Sequence, residues 1–156
     1  MARRVFFSFH YQNDIWRVNQ VRNSHVVEGC AAAGFQDASL WEEARRRGDA
    51  AVKRLIDQGL EGTTVTAVLI GEQTAYRRYV DYEIDRSLAR GNGLIGVRIH
   101  NLRDQYGRSS LSGPVPQRLV AFGAPVYTWS DARSFGAWVE TAYQGAQGTR
   151  LNPFRI

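Results

Sequence analysis

The run Thr-Thr-Val-Thr-Ala-Val-Leu-Ile at residues 63–70 is the feature that most restricts what this chain can fold into. It is rich in β-branched residues, it is apolar in its second half, and Gly71 ends it. A strand of this kind is typical of the centre of a parallel sheet, where helices cover both faces. The run therefore predicts an α/β protein.

Strands and helices are predicted to alternate along the rest of the chain. Other strands are predicted at residues 3–9, 94–99 and 125–129, and at most a short strand or loop at 30–40. Helices are predicted from a cap at Asp14 to about Glu28, from Trp41 (capped by Ser39) to Gly59, at 77–90, and from a cap at Asp131 onward. Such alternation forms βαβ units. We expect a flavodoxin-like three-layer sandwich with a central parallel sheet of about five strands.

The length of 156 residues suits one domain. We assign residues 1–145 to this domain and residues 146–156 to a C-terminal tail, which we expect to be loose from Gly145. Residues 100–120 are polar and rich in Gly, Ser and Pro, and they are longer than an ordinary connection. They predict a long surface loop.

Composition excludes several classes of protein. Cys30 is the only cysteine, so an internal disulfide and a cysteine-based metal site are excluded, and we expect no metal. We find neither a membrane-spanning stretch nor a signal peptide, which predicts a cytoplasmic protein without a membrane partner. The net charge is +5, but the one basic run, Arg45-Arg46-Arg47, follows two glutamates. We therefore expect no nucleic-acid partner, although a basic surface suits an anionic dinucleotide.

Ligands of open parallel sheets bind beyond the carboxyl ends of the strands. Those ends are predicted at residues 8–10, 70–71 and 100–101, and the first loop leads into a helix start near Asp14 that can hold a pyrophosphate. No Walker or Rossmann glycine motif is present. This argues against a P-loop nucleotidase or a dehydrogenase.

Three segments resemble a known family. They are VFFSFHYQNDIWR, LWEEARRRGDAAVKRLID and TVTAVLIGEQTAYRRYVDYEIDRSLARGNGLIGVRIHNL, in this order. Together they are similar to the TIR-like family that includes the TIR subunit of the Thoeris antiphage system. The resemblance covers nearly the first two-thirds of the chain.

The resemblance implies an enzyme and points to Glu83 as its catalytic residue. In the wider superfamily, a glutamate on the helix after the third strand is required to cleave nicotinamide from NAD. The residue four positions earlier, usually tryptophan, is here Tyr79, and Val80 replaces the cysteine that follows it. The implied activity is that of an NAD nucleosidase or ADP-ribosyl cyclase, with NAD as substrate and no cofactor. Its cyclic product would activate a nucleotide-sensing effector protein, and a homo-oligomer is left open.

A carboxylate suits this reaction because the ribose gains oxocarbenium character as its bond to nicotinamide breaks. Helical spacing puts Glu83 beside the apolar stripe of Val80, Ile84 and Leu88, so we expect it to edge a cleft. The alternative is a surface glutamate paired with Arg86.

The other candidate site residues are predicted as ligand contacts with structural alternatives. Ser8, Phe9 and His10 form the first nucleotide-contacting loop by resemblance; Phe9 offers a ring face, while capping is favoured over catalysis for His10. Asp14 is favoured as a helix cap, Trp41 as a core residue that can stack on a base, and Gly71 and Tyr79 as parts of the pocket. Arg77 and Arg78 could meet phosphate or pair near Asp81.

Two other functions remain open from the sequence. One is a non-catalytic TIR-type interaction and signalling module, which the missing tryptophan favours. The other is an enzyme like the nucleoside deoxyribosyltransferases, whose flavodoxin-like folds also direct a glutamate at an anomeric carbon. The substrate distinguishes the latter from an NAD-consuming enzyme.

Overall fold

A computed structural model describes residues 2–32 and 39–151. The five strands are β1 (Arg4–Ser8), β2 (Glu28–Cys30), β3 (Val65–Ile70), β4 (Gly93–Arg98) and β5 (Val126–Thr128). They form one parallel sheet in the order β2-β1-β3-β4-β5. This order reverses the direction of the connections between β1 and β3, where flavodoxin-like folds bind their ligands.

The described residues also form six helices and one 3-10 turn. The helices are α1 (Tyr11–Arg22), α2 (Ser39–Arg47), α3 (Asp49–Leu60), α4 (Val80–Ala89), α5 (Gln117–Phe122) and α6 (Ala132–Leu151), and the 3-10 turn is Thr74–Tyr76. Among the described helices, none combines the length and the apolar character that crossing a lipid bilayer requires.

Side chains of β3 pack against helices on both faces of the sheet. Val68 and Ile70 lie in an apolar cluster with Ile84 of α4, whereas Leu69 lies in the cluster that contains Phe135 of α6. All six residues of β3 are buried, as expected for a central parallel strand. The α/β flavodoxin-like sandwich predicted from the sequence is therefore confirmed.

Helix α1 differs from its prediction at both ends. It begins at Tyr11 instead of Asp14, because the Nδ1 atom of His10 accepts a hydrogen bond from the Asn13 amide and so caps the helix. It ends at Arg22 instead of Glu28, since the chain turns through His25 at a φ of 61°. The short strand β2 then follows.

The helix predicted from Trp41 to Gly59 is two helices. Gly48 separates them at a φ of 115°, a conformation that side chains disfavour. Helix α3 continues through Gly59 to Leu60, and Gly59 lies close to the backbone of Ala31. Of the short strand or loop predicted at residues 30–40, residues 33–38 lie outside the described part of the chain.

The segment at 100–120 is a long loop whose last residues enter helix α5. Its middle is held by two arginines: Arg17 donates to the carbonyls of Leu102 and Arg108 at 2.8 and 2.9 Å, and Arg98 donates to the carbonyl of Gly113 at 3.0 Å. The loop is thus folded against the ends of the strands.

The C-terminal segment is helical further than expected. Helix α6 continues beyond Gly145 to Leu151, so the expectation of a loose tail from Gly145 is wrong for these residues. Its N-terminal cap is as predicted, because the Asp131 carboxylate accepts from the Ser134 amide at 2.8 Å. Residues 152–156 lie outside the described part of the chain.

Candidate active site

A cleft of about 610 Å³ opens at the carboxyl end of β1, beside the reversal in strand order. Its walls come from the start of α1, from α2, from the junction between α2 and α3, and from residues 76–79 before α4. This volume falls within the range of small-molecule sites. The cleft is therefore the candidate ligand site of this fold.

Aromatic rings form one wall of the cleft. Tyr11 stacks on Trp41 with their ring centroids 5.6 Å apart, and Phe9 lies behind Tyr11 at 4.4 Å. Tyr79 meets the edge of Trp41 at 6.0 Å and donates its hydroxyl hydrogen to Asp49 at 2.9 Å. This contact fixes the wall at the junction between α2 and α3.

Glu83 lies in the first turn of α4 and points at the end of β1. Its carboxylate accepts a hydrogen bond from the Ser8 hydroxyl at 3.0 Å and forms an ion pair with Arg77. The residue is only 1% exposed. Burial raises the pKa of Glu83, and the attraction of Arg77 and the Ser8 hydrogen bond lower that pKa in part.

The Arg77 guanidinium lies between Glu83 and the cleft. Nη1 pairs with Glu83 and donates to the Ser8 hydroxyl at 3.3 Å, and the guanidinium carbon is 5.2 Å from the centroid of the Trp41 ring. Nη2 is buried and has no hydrogen-bond acceptor. Arg77 lines the cleft, whereas Glu83 stands behind it.

The cleft lining carries more positive than negative charge. Its charged side chains are Arg45, Arg46, Arg77 and Arg78 against Glu42 and Asp49. Glu42 pairs with Arg45 at 3.3 Å, and Asp49 lies 3.7 Å from Arg78. An excess of arginine at a cleft mouth attracts anionic groups such as phosphates.

Four of the residues predicted from the sequence gather around this cleft with Glu83. His10, Trp41 and Tyr79 line it, and Ser8 contacts Glu83 behind the lining. Glu83 is buried under Arg77 instead of edging the cleft, because the first turn of α4 faces β1. Its surface pairing with Arg86 is excluded, since Arg86 contacts Asp57 at 3.2 Å.

His10 and Phe9 have structural positions. His10 caps α1, as favoured from the sequence, and burial lowers its pKa. Phe9 is 1% exposed, and its ring packs on Tyr11.

Asp14 and Gly71 lie against each other, and neither residue lines the cleft. Asp14 is not the helix cap; it is buried one turn into α1, where it accepts from Arg17 at 3.1 Å. A Cβ atom on Gly71 would overlap the Asp14 carboxylate, and one on Gly113 would overlap the Gly71 carbonyl. Gly71 is therefore enclosed by protein on both sides and is not part of the lining of this cleft.

Sequence reasoning missed the central position of Arg77 and the contribution of Tyr11. Asp81, the acidic neighbour weighed for Arg77, instead lies 3.8 Å from Arg118 of α5. The available signal was that Arg77 precedes α4 by one turn, which puts it within reach of a glutamate in the first helical turn.

Comparisons with known proteins identify the family of this chain. Residues 6–104 match the family model described as "Thoeris protein ThsB, TIR-like domain". The chain is 54% identical over 158 residues to a protein of Bacillus cereus (strain MSX-D12) named "Putative cyclic ADP-D-ribose synthase ThsB1", with all of this chain and 80% of that protein aligned. The resemblance seen in the sequence is confirmed, and the chain belongs to the family of Thoeris ThsB proteins with a TIR-like domain.

Proposed function

We propose that this chain cleaves the nicotinamide–ribose bond of NAD and makes a cyclic ADP-ribose signal that activates a partner effector in antiphage defence. The name of its relative from Bacillus cereus describes a synthase of this product class. NAD is the substrate in this proposal, and no further cofactor takes part.

The observation that carries the proposal is the buried Glu83 carboxylate behind an aromatic and arginine-lined cleft. Charged carboxylates are rarely buried unless they are paired, and buried ones with perturbed pKa values concentrate at functional sites. Here the carboxylate lies at the strand reversal, next to a cleft large enough for a dinucleotide end. Burial in low dielectric also strengthens its attraction for a developing positive charge.

The reaction follows from this placement. As the bond between ribose C1′ and the pyridinium nitrogen breaks, its electron pair stays on the nitrogen and neutral nicotinamide leaves. The ADP-ribosyl part becomes an oxocarbenium cation, which the Glu83 carboxylate stabilises. A nucleophilic atom of the same ADP-ribose then attacks C1′ and loses a proton, which closes the ring. Water attacking in its place gives linear ADP-ribose.

The remaining cleft residues orient the substrate in this proposal. The rings of Trp41 and Tyr79 border the space for a planar base, and Arg45, Arg46 and Arg78 attract the pyrophosphate. The Ser8 hydroxyl holds the Glu83 carboxylate in one orientation by its hydrogen bond.

The test compares substrates with the purified full chain, alone and in lysate from phage-challenged cells. NAD and a set of deoxynucleosides are supplied separately, and nicotinamide, free bases and ADP-ribosyl products are measured by mass spectrometry. Deproteinised products are then added to a nucleotide-sensing effector to measure its activation. The lysate arm supplies any trigger that assembles the site.

We expect nicotinamide and a cyclic ADP-ribosyl product from NAD, and no base exchange among deoxynucleosides. Base exchange without NAD cleavage would establish the transferase alternative. No turnover under any condition, together with a stable complex, would establish an interaction module and refute the proposal.

A further inference from the structure

The Arg77 guanidinium occupies a position suited to any planar cation. It is planar and delocalised, it lies 5.2 Å from the Trp41 ring centroid, and it pairs with the buried Glu83 carboxylate. Aromatic faces and buried carboxylates both attract such cations. The site thus combines two recognition elements for positive charge, and a residue of the chain itself fills it.

We propose that Arg77 is an internal stand-in for the substrate: its guanidinium holds the place of the cationic pyridinium-ribose end of the dinucleotide, and binding exchanges one planar cation for the other. This inference rests on the proposed function, and it adds a gate and a source of selectivity to it.

The geometry requires such an exchange. Arg77 lines the cleft while Glu83 lies behind it, so the ribose of a ligand reaches the carboxylate only after the guanidinium has moved. The Ser8 hydroxyl contacts both groups and marks the point where they meet. In the arrangement seen here, Glu83 is closed to the substrate.

Arg77 has a means of leaving this position. It lies in the short connection between the 3-10 turn and α4, where its backbone is extended, so its side chain is not held within a helix. Its buried Nη2 atom has no hydrogen-bond acceptor in the present position. The cleft offers Asp49 and Glu42 as acceptors, and the phosphates of a bound dinucleotide add more.

Charge balance makes the exchange selective. Removing Arg77 without replacement leaves a buried carboxylate unpaired, which is strongly unfavourable. An oxidised dinucleotide brings a pyridinium cation to replace the guanidinium, whereas the dihydropyridine ring of a reduced dinucleotide is neutral. The exchange therefore favours the oxidised form at the binding step, before any bond breaks.

The test measures binding without turnover. Carba-NAD, which keeps the pyridinium cation but resists cleavage, and NADH are titrated by calorimetry into the wild-type full chain, Arg77→Gln and the matched control Arg78→Gln. We expect the wild type to prefer carba-NAD at least about tenfold. In Arg77→Gln, both ligands should gain at least about tenfold in affinity because neither has to displace the guanidinium, whereas Arg78→Gln should weaken both ligands by a similar factor.

A second measurement addresses the cation site without a dinucleotide. Methylguanidinium, at concentrations too low to denature, should raise the thermal midpoint of Arg77→Ala by refilling the vacated position. Methylguanidinium should not change the thermal midpoint of the wild type or of the double variant Arg77→Ala/Glu83→Gln. No stabilisation of a folded Arg77→Ala would overturn the inference.

The failures of the two proposals look different. Equal wild-type affinities for carba-NAD and NADH, or parallel weakening of both ligands in Arg77→Gln, would refute the internal stand-in while NAD cleavage persists. Absence of dinucleotide binding and of nicotinamide release in every protein would refute the proposed function, and the exchange with it.

Discussion

The Arg77 guanidinium and the Glu83 carboxylate form an ion pair in which the two side chains are 9% and 2% exposed. The pair joins the connection before α4 to the first turn of that helix, and the Ser8 hydroxyl bridges it to the end of β1. Buried pairs of this kind contribute little net stability, but removing one partner is costly. Its position behind the cleft therefore points to a functional role.

The acid side of the pH–activity profile follows from the burial of Glu83. Because burial raises its pKa above the ordinary value of 4.5, the carboxylate is ionised only above that raised pKa. We expect nicotinamide release to fall as the pH drops through a midpoint above 4.5, measured as kcat/KM from acid to neutral pH.

Another titratable group at this cleft is His10, which faces it from the start of α1. His10→Asn keeps a cap acceptor for α1 and removes that group. The acid midpoint should persist in this variant. A midpoint that disappears with His10 would assign the titration to the histidine instead of Glu83.

Trp41 is expected to contribute to stability through its packing between Tyr11 and Tyr79. The residue is 6% exposed, so Trp41→Ala should lower the free energy of unfolding by about 3–5 kcal/mol in urea denaturation. The matched control is Trp16→Ala, because Trp16 is 52% exposed and its loss should cost less than about 0.5 kcal/mol. Similar costs for the two variants would contradict this assignment.

Gly71 is expected to tolerate no side chain. Gly71→Ala places a Cβ atom against the buried Asp14 carboxylate and should lower the free energy of unfolding by about 1–3 kcal/mol. Gly145 of α6 has open space around its Cβ position, so Gly145→Ala should stabilise the protein by up to about 1 kcal/mol. A Gly71→Ala variant as stable as the wild type would show that the first loop is not packed as described.

The stability of the protein at low pH should depend on Glu140. Arg3 donates to both carboxylate oxygens of Glu140 at 3.0 and 2.9 Å, and these bonds lower the pKa of Glu140 to about 2. A lowered pKa stabilises the fold above the unfolded value of 4.5 and loses this effect as the pH falls toward about 2.

Thermal melts of Glu140→Gln across this pH window should therefore converge with those of the wild type at the acid end. The exposed Glu61→Gln serves as the control and should run parallel to the wild type. Because the Glu140 pair is partly exposed, added salt should reduce the difference. A constant gap from pH 4.5 down to 2 would contradict the assignment.

The strands and the family could be predicted from the sequence because their signals are local. The apolar run that forms β3 and the glycines around β4 report burial and turns directly. Helix α5 carried its own signals, Pro116 before its first residue and Gly123 in a left-handed conformation after its last, but they stood in a segment interpreted as loop.

Contacts between distant segments could not be predicted in this way. The burial of Glu83 depends on Ser8, 75 residues away, and the stack of Tyr11 on Trp41 joins α1 to α2. The helical spacing along α4 predicts on which face of the helix Glu83 lies, but it does not predict that Arg77 covers the carboxylate. The start of α1 was predicted at Asp14 instead of Tyr11, because aspartate is a more usual helix cap than a histidine such as His10.

Nicotinamide release by Glu83→Gln tests the central claim most directly. The rate is measured with saturating NAD under the conditions in which the wild type is active, and it is corrected for the folded fraction by circular dichroism. The control is Asp85→Asn, an exposed carboxylate on the same helix. We predict a fall of at least about 100-fold for Glu83→Gln and a rate near that of the wild type for Asp85→Asn. A folded Glu83→Gln protein that releases nicotinamide within about threefold of the wild-type rate would contradict the account, because such a change is far smaller than the loss of a charge-stabilising group causes.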